Sequence, residues 1–409
     1  MSSKPARCRF TTLAQLCNLI PSNLVSKLAK KHGVDKQVRS FSPWSHLVCM
    51  LYAQLIHALS LNDICDGLKH HAAKLFDIRQ ATPPRRNTLS NANMKRNASL
   101  AEDLFWTVLE HLQQFSPGFG GRCYAGMPRR FKRVIHVVDA TTIQLVANCI
   151  DWARHRRKKA AAKMHMRLNL QSFLPRFAIV DTARENDNRR AREICAGIDK
   201  GEIVIFDKAY IEFDHLFDLT LRGVFWVTRI KDNMQYLCRK KLLKRPSGSI
   251  IQDDLILLKN QDSRKKYPER IRLVVAWVEI DGEETAMSFM TNNLEWAPGS
   301  VADLYKARWS IEAFFKQIKQ TLQLCDFLGH SKNAILWQVW TALLLYVLLR
   351  FLAYSNHWRH SFKRLFCLMR SLVWDCLVLT TILKSYGTAT GPPRARATAE
   401  QAYFPGFVA

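Results

Sequence analysis

Acidic residues are scarce in this chain: 34 Asp and Glu stand against 61 Lys and Arg in 409 residues, leaving a formal net charge of +27 and a pI near 9.9. In a globular composition, such an imbalance argues against a small-molecule metabolic role and for a polyanionic partner. Glycine (16) and proline (14) are few, which excludes collagen-like and low-complexity architectures. The eleven cysteines, at 8, 17, 49, 65, 123, 149, 195, 238, 325, 367 and 376, are odd in number and form no CxxC or CxxxC pair. That spacing predicts reduced thiols in a cytosolic protein and no structural zinc site. A long unbroken apolar run is lacking too. The first twenty residues have no apolar h-region, so no secretory leader is expected. The best membrane candidate, 335–352, is broken by Gln338 and Arg350 and reads as a buried helix.

What is present is a folding composition. A hydrophobic content of 48% with 11% aromatics excludes wholesale disorder, and 409 residues at roughly 150 per domain suggest two to three domains. Residues 1–120 read as helical, with apolar residues at three- and four-residue spacing in 44–59 and 101–114. Ser60 and Asp63 resemble a capping box, and Pro83-Pro84 ends the segment before them in the pattern of starts and stops. In RRNTLSNANMKRN, Arg85, Arg86, Lys95 and Arg96 sit among Asn and Ser, donors suited to phosphates and base edges; a solvated helix face has the same composition.

From Pro128 onward short β-branched runs take over, at 134–139, 164–170, 177–180, 203–207 and 224–228, with helix-like segments at 187–196 and 211–222. This is a mixed α/β order. A second strand-rich stretch, 236–292, carries the hairpin signal Asp281-Gly282 and reads as a β insertion ahead of a long helix at 301–325. An apolar helical region follows at 331–386, then a loose tail at 387–409.

The 301–325 segment carries the most chemistry. At about 100° per residue, taking Tyr305 as zero, Arg308 falls at about −60°, Glu312 at about −20° and Lys319 at about −40°, so the four share one stripe. Leu304, Ile311, Phe315, Ile318 and Leu322 form an apolar stripe beside it. An ordinary surface row of Glu with Arg and Lys would read the same way. Asp139 and Asp207 each end a run of buried-strand character, where side chains become available to ligands, although a strand-end Asp commonly serves a turn. Three carboxylates could hold two Mg²⁺ ions about 3.5 to 4 Å apart for in-line phosphoryl displacement. Arg308 and Lys319 would then neutralise flanking phosphates, and Tyr305 would donate a hydrogen bond to one.

Tyr305-x2-Arg308-x3-Glu312-x6-Lys319, within TNNLEWAPGSVADLYKARWSIEAFFKQIKQTLQL, resembles the YREK signature of insertion-sequence transposases of the IS-four family. HVVDATTI and IVIFDKAY resemble that family's first and second aspartate motifs, and the three blocks, spread over 134–346, occur in the family's order. The second block lacks the glycine common at its third position, so its local turn departs from the pattern. The resemblance implies an α/β fold: an RNase H-like mixed-sheet catalytic core (128–228 and 299–330) interrupted by a β-strand insertion (229–298). Helical N-terminal (1–120, with a DNA-end-binding role open) and C-terminal (331–409) regions would flank it. It further implies cut-and-paste transposition at Asp139, Asp207 and Glu312, which serve as catalytic residues and metal ligands for two Mg²⁺ ions, with Mn²⁺ able to substitute. Asp181, after the 177–180 run, is a rival ligand but ends an edge strand in the implied sheet order.

The partners implied are the element's terminal inverted repeats and target DNA, engaged by a homodimer in the bacterial cytoplasm, nucleoid-associated when bound and without a membrane role. Twelve Lys or Arg lie between 122 and 168, among them Arg154, Arg156, Arg157, Lys158 and Lys159, a run read as a DNA backbone track rather than a solvated loop. The insertion would supply an aromatic that stacks on a flipped base, with Trp277 and Trp296 as candidates and core packing as their alternative role. Two other functions remain open: a metal-dependent nuclease without strand transfer, and a non-catalytic DNA-binding derivative.

Overall fold

In the middle of the chain, β-branched and aliphatic residues build nine strands: β1 (Ile135–Leu145), β2 (Ala160–Asn169), β3 (Leu174–Thr182), β4 (Ile203–Phe206), β5 (Phe225–Arg229), β6 (Tyr236–Lys241), β7 (Ile250–Leu258), β8 (Ile271–Ile280) and β9 (Glu283–Thr291). The computed structural model describes residues 6–36, 40–121, 131–145, 160–182, 187–231, 233–280, 282–324 and 327–385. The strands join in one sheet, ordered β3-β2-β1-β4-β5-β9-β8-β7-β6. β1, β2 and β3 run antiparallel, while β4 and β5 lie parallel to β1 and follow helices Asp187–Cys195 and Phe213–Leu221. All four residues of β4 are buried, as expected for a central parallel strand covered on both faces. The strand-rich stretch after β5 extends this same sheet, because β9 pairs antiparallel with β5. Two residues connect β8 to β9, and Gly282 takes φ +87° in that turn, where a side chain would be strained.

Strand parity divides the core. Ile135, Val137, Ile203 and Ile205 face the larger apolar cluster, which includes the N-terminal helices and Lys332–Ser355, whereas Val138, Val204 and Phe206 face Asp187–Cys195 and Phe213–Leu221. Lys332–Ser355 is long and apolar enough to cross a membrane, but 89% of its most apolar window is buried inside the molecule. Polar bolts fix its start. Asn333 accepts from the Ala98 N–H (2.9 Å) and donates to the Asn93 carbonyl (2.9 Å), and the Trp337 indole donates to the Arg96 carbonyl (2.7 Å). Ser60 and Asp63 form the expected capping box. RRNTLSNANMKRN contains helix Arg86–Lys95, but its roles divide: Asn93 is buried against His46, and the Arg96 guanidinium lies over Phe41 and donates to the Ser42 carbonyl. Arg96 is therefore structural, while Arg85, Arg86 and Lys95 are exposed.

Two expectations need correction. The helix expected at 301–325 is broken into Pro298–Ala307, Ser310–Lys316 and a π-helical turn Gln317–Thr321. At the break the Arg308 and Glu312 amides bond three residues back, to the Tyr305 and Trp309 carbonyls, tightening the backbone before it widens. Asp139 does not end its strand. β1 continues to Leu145 against β2, and Asp139 stands where the pairing of β1 with β4 stops, one residue beyond Val138–Phe206. The tail at 387–409 lies outside the described residues.

One buried ion pair locks the later strands to the helix that follows. Arg272 on β8 donates through Nε and Nη2 to both carboxylate oxygens of Asp253 on β7, each at 2.7 Å, and through Nη1 to the Trp296 carbonyl just ahead of Pro298–Ala307. Both side chains are almost fully buried. Asp253→Ala leaves the guanidinium buried and unpaired; urea unfolding should show a loss of about 3 to 5 kcal/mol.

Candidate active site

Two parallel neighbouring strands deliver the first two carboxylates. Asp139 has the parity of Val137, and Asp207, the residue after Phe206, has the parity of Ile205, so both emerge on the face of the larger cluster. Asp139 accepts from the Ala140 N–H and Asp207 from the Lys208 N–H, each at 2.7 Å. Tyr305 and Arg308 reach them from the tightened break. The Tyr305 hydroxyl donates to Asp207 Oδ1 at 3.4 Å, and its ring packs against Phe289. Arg308 donates through Nη1 to Asp139 Oδ2 (2.7 Å) and through Nη2 to Glu312 Oε1 (3.0 Å). Asp139, Asp207, Tyr305, Arg308 and Glu312 are thus brought together, five residues from four separate elements of the chain.

Burial dominates the electrostatics of this corner, with neighbouring charges modulating it. Burial pushes the Asp139 carboxyl up to about 6; Arg308 and the Ala140 N–H oppose that shift, and Asp207 and Glu312 reinforce it. Burial works to lower the Arg308 pKa, but Tyr305, Asp139, Asp207 and Glu312 hold it above its ordinary value. Tyr305 is raised to about 12, chiefly by burial, and so remains a hydrogen-bond donor at neutral pH. Among the described residues, no three His, Cys, Asp or Glu side chains are arranged to hold a metal ion. Arg308 bridges Asp139 and Glu312 instead, which departs from the expected two-ion arrangement. Carboxylate oxygens are the donors a hard cation takes, and this corner offers three such groups.

The corner opens into a cavity of about 750 Å³ lined by Asp207, Tyr305, Arg308 and Glu312. Lys208, Arg229 and Lys306 add positive charge to its wall, and Trp309 an aromatic face. Glu279 and Gly282 bring the β8–β9 tip to its rim. Apart from Gly282, a turn residue by its pattern, none of these carries a role in the sequence motifs. Arg229 ends a strand just as Asp207 follows one, a signal that could have found it; Glu279 approaches only through the sheet order.

Lys319 lies on the π-helical turn, is half-buried with its pKa lowered by burial, and does not line the cavity. The widened turn takes it off the stripe that a regular helix would give it. Asp181, on edge strand β3, is paired with Arg190 and takes no part. Arg154, Arg156, Arg157, Lys158 and Lys159 lie outside the described residues. Two other members of the basic run are structural: Arg167 is buried, and Arg133 donates to the Gly201 carbonyl (2.9 Å) and covers Phe225. Trp296 is half-buried against Phe131 and Phe225, whereas Trp277 is 47% exposed.

The transposase DDE domain model matches residues 130–348, and a domain of unknown function (DUF4372) matches 9–78. The chain is 30% identical to the protein y4zB of Sinorhizobium fredii, assigned as a transposase, over 69% of this chain and 76% of that one. It is 28% identical to the transposase assigned to insertion sequence element IS5377 of Geobacillus stearothermophilus, over 54% of this chain and 58% of the relative. To transposase InsG of element IS4 from Escherichia coli K12 it is also 28% identical, over 46% and 43%. With carboxylates crowded where the pairing of β1 with β4 stops and a family match across more than half its length, the chain belongs to the insertion-sequence DDE transposases, enzymes that cleave DNA and transfer its strands.

Proposed function

We propose that Asp139, Asp207 and Glu312 are the catalytic carboxylates of a cut-and-paste transposase. One observation carries the reading: Arg308 bonds both Asp139 and Glu312, and it lines one cation-rimmed cavity together with Asp207 and Glu312. β1 to β5 serve as an RNase H-like core and β6 to β9 as its insertion. The same carboxylates hold divalent cations, Mg²⁺ or Mn²⁺, which when bound activate water and stabilise the leaving oxygen. Arg308 serves as counter-ion to the carboxylates and then as donor to a DNA phosphate, a geometry guanidinium suits. Tyr305, kept protonated, orients Asp207 and donates to phosphate oxygen, and Lys208, Arg229 and Lys306 draw the backbone into the cavity. The reaction is hydrolysis of one strand to expose a 3′-OH, attack of that hydroxyl on the opposite strand to close a hairpin and release the flanking DNA, hydrolysis of the hairpin to free the 3′-OH again, and its attack on target DNA.

DNA ends are bound through the N-terminal region. Helix Arg86–Lys95 contains no acidic residue, exposes Arg86, Asn87, Asn91 and Lys95, and borders a cleft of about 500 Å³ lined by Lys36, Thr88, Asn91 and Asn97. Amide and guanidinium groups on one helix can read base edges. Arg154, Arg156, Arg157, Lys158, Lys159 and Lys319 contribute backbone contacts. Both ends are processed together by a homodimer in the bacterial cytoplasm.

The direct test is Mg²⁺- or Mn²⁺-dependent cleavage of a plasmid bearing the element with its native flanks. Asp139→Asn and Glu312→Gln should each abolish cutting at the ends while retaining DNA binding; a wild type that binds but cuts with neither metal would sink the catalytic reading. Arg308→Ala removes the partner of two carboxylates and should cost about 3 kcal/mol in unfolding free energy besides activity. Asp139→Asn tests the pH dependence instead. A carboxyl raised in the folded state contributes stability below its unfolded pKa and loses it as pH rises through the folded value, about 6 here. The stability of Asp139→Asn relative to wild type should therefore climb between about pH 4 and pH 6, by roughly 2 to 3 kcal/mol, and level off above. A flat difference across that range in denaturant titrations would contradict a raised Asp139.

A further inference from the structure

The two edges of the sheet are unlike. β3, at one edge, contains one cation, Arg176, together with the acid Asp181. β6, at the other, and the segment after it carry Arg239, Lys240, Lys241, Lys244 and Arg245, all exposed, with no acid from 233 to 252. The acids on the paired strand β7, Asp253 and Asp254, are buried, and Asp253 is taken up by Arg272. Lysine on an edge strand can serve only to discourage edge-to-edge association. Here that purpose is already served, since the β6–β7 register shifts between Cys238 and Lys240, an irregularity that itself blunts an edge. β6 itself carries three cations to the one of β3, and two more follow it at once.

We propose that the β6 edge, from Arg239 to Arg245, is a second, sequence-independent contact for the backbone of the duplex engaged at the carboxylates. This inference rests on the transposase reading and adds to it a site remote from the chemistry. β6 is five strand spacings from β4, the strand that leads into Asp207. At about 4.8 Å each, the separation is about 24 Å along the sheet. B-DNA advances about 3.4 Å per base pair, so the contact falls about seven base pairs from the reacting phosphodiester. Such a contact fixes the axis of the duplex over the cavity without reading its sequence.

The test uses the full chain with all five residues changed to Gln and a companion bearing Arg239→Lys and Arg245→Lys. Binding to end-containing duplexes is followed by fluorescence anisotropy against salt, with the duplex shortened stepwise from either side of the cleavage position. For long duplexes the Gln variant should bind about tenfold or more weakly at about 0.1 M salt, and the slope of log K on log salt should fall by about 0.9 per lost contact. The Lys companion should match wild type. Once one side is trimmed below about seven base pairs, wild type and Gln variant should converge, and the side on which they do identifies the arm held. Unchanged affinity with new light scattering would overturn the proposal and leave edge protection as the role of these residues. A deficit independent of duplex length would overturn it too. Wild type that binds but does not cleave would defeat the catalytic reading alone, since the β6 comparison is decided by binding; wild type that binds no duplex would defeat both.

Discussion

Everything in the centre of this molecule answers to one constraint: two carboxylates emerge side by side because β1 and β4 are parallel neighbours in register, and a third is brought to them. Ionising a carboxyl in this partly buried corner is unfavourable, and the Asp139 carboxyl is raised first by burial and then by Asp207 and Glu312. Arg308 is the group that makes the arrangement tenable. Its placement between Asp139 and Glu312 requires the chain to tighten after Ala307, so the broken helix and the charge arrangement are one feature seen at two levels. A regular helix would spread these groups along a stripe, whereas the tightened turn gathers three of them and the π-helical turn removes the fourth.

The surrounding architecture works to hold that break in place. β7 to β9 continue the core sheet, and Arg272, paired to Asp253, also grips the Trp296 carbonyl immediately ahead of Pro298–Ala307. On the other side, Lys332–Ser355 is an almost wholly buried beam, and the N-terminal helices are bolted to it through Asn333 and Trp337. Charge is distributed differently. Arg96 and Arg167 are turned inward as structural groups, while cations line the cavity wall and those along β6 are exposed.

Much of the fold was legible because local patterns agree with global ones. The strand runs at 134–139, 203–207 and 224–228, the capping box at Ser60 and the buried helix at 335–352 all follow from periodicity, β-branching and cap chemistry. Where sequence and structure part, the cause is tertiary. Asp139 looked like a strand end because its hydrophobic run stops there, but β2 supplies a partner that carries β1 six residues further. RRNTLSNANMKRN looked uniformly polar, yet contact with Trp337 and Asn333 sorts its residues into buried and exposed.

The sequence alone determined the chemistry on offer: three carboxylates, a tyrosine, an arginine and a lysine at characteristic spacings, in a strongly basic chain whose motif order resembles one enzyme family. These are properties of residue type and separation, which one dimension records completely. Only the tertiary structure decided which of them meet. It joined Asp139 to Arg308 across 169 positions and Asp207 to Tyr305 across 98, placed Lys319 outside the cavity, and brought in Arg229 and Glu279, whose significance rests on sheet order. The physical reason is that hydrogen-bond register and strand parity are relations between distant segments, fixed only when the segments pair.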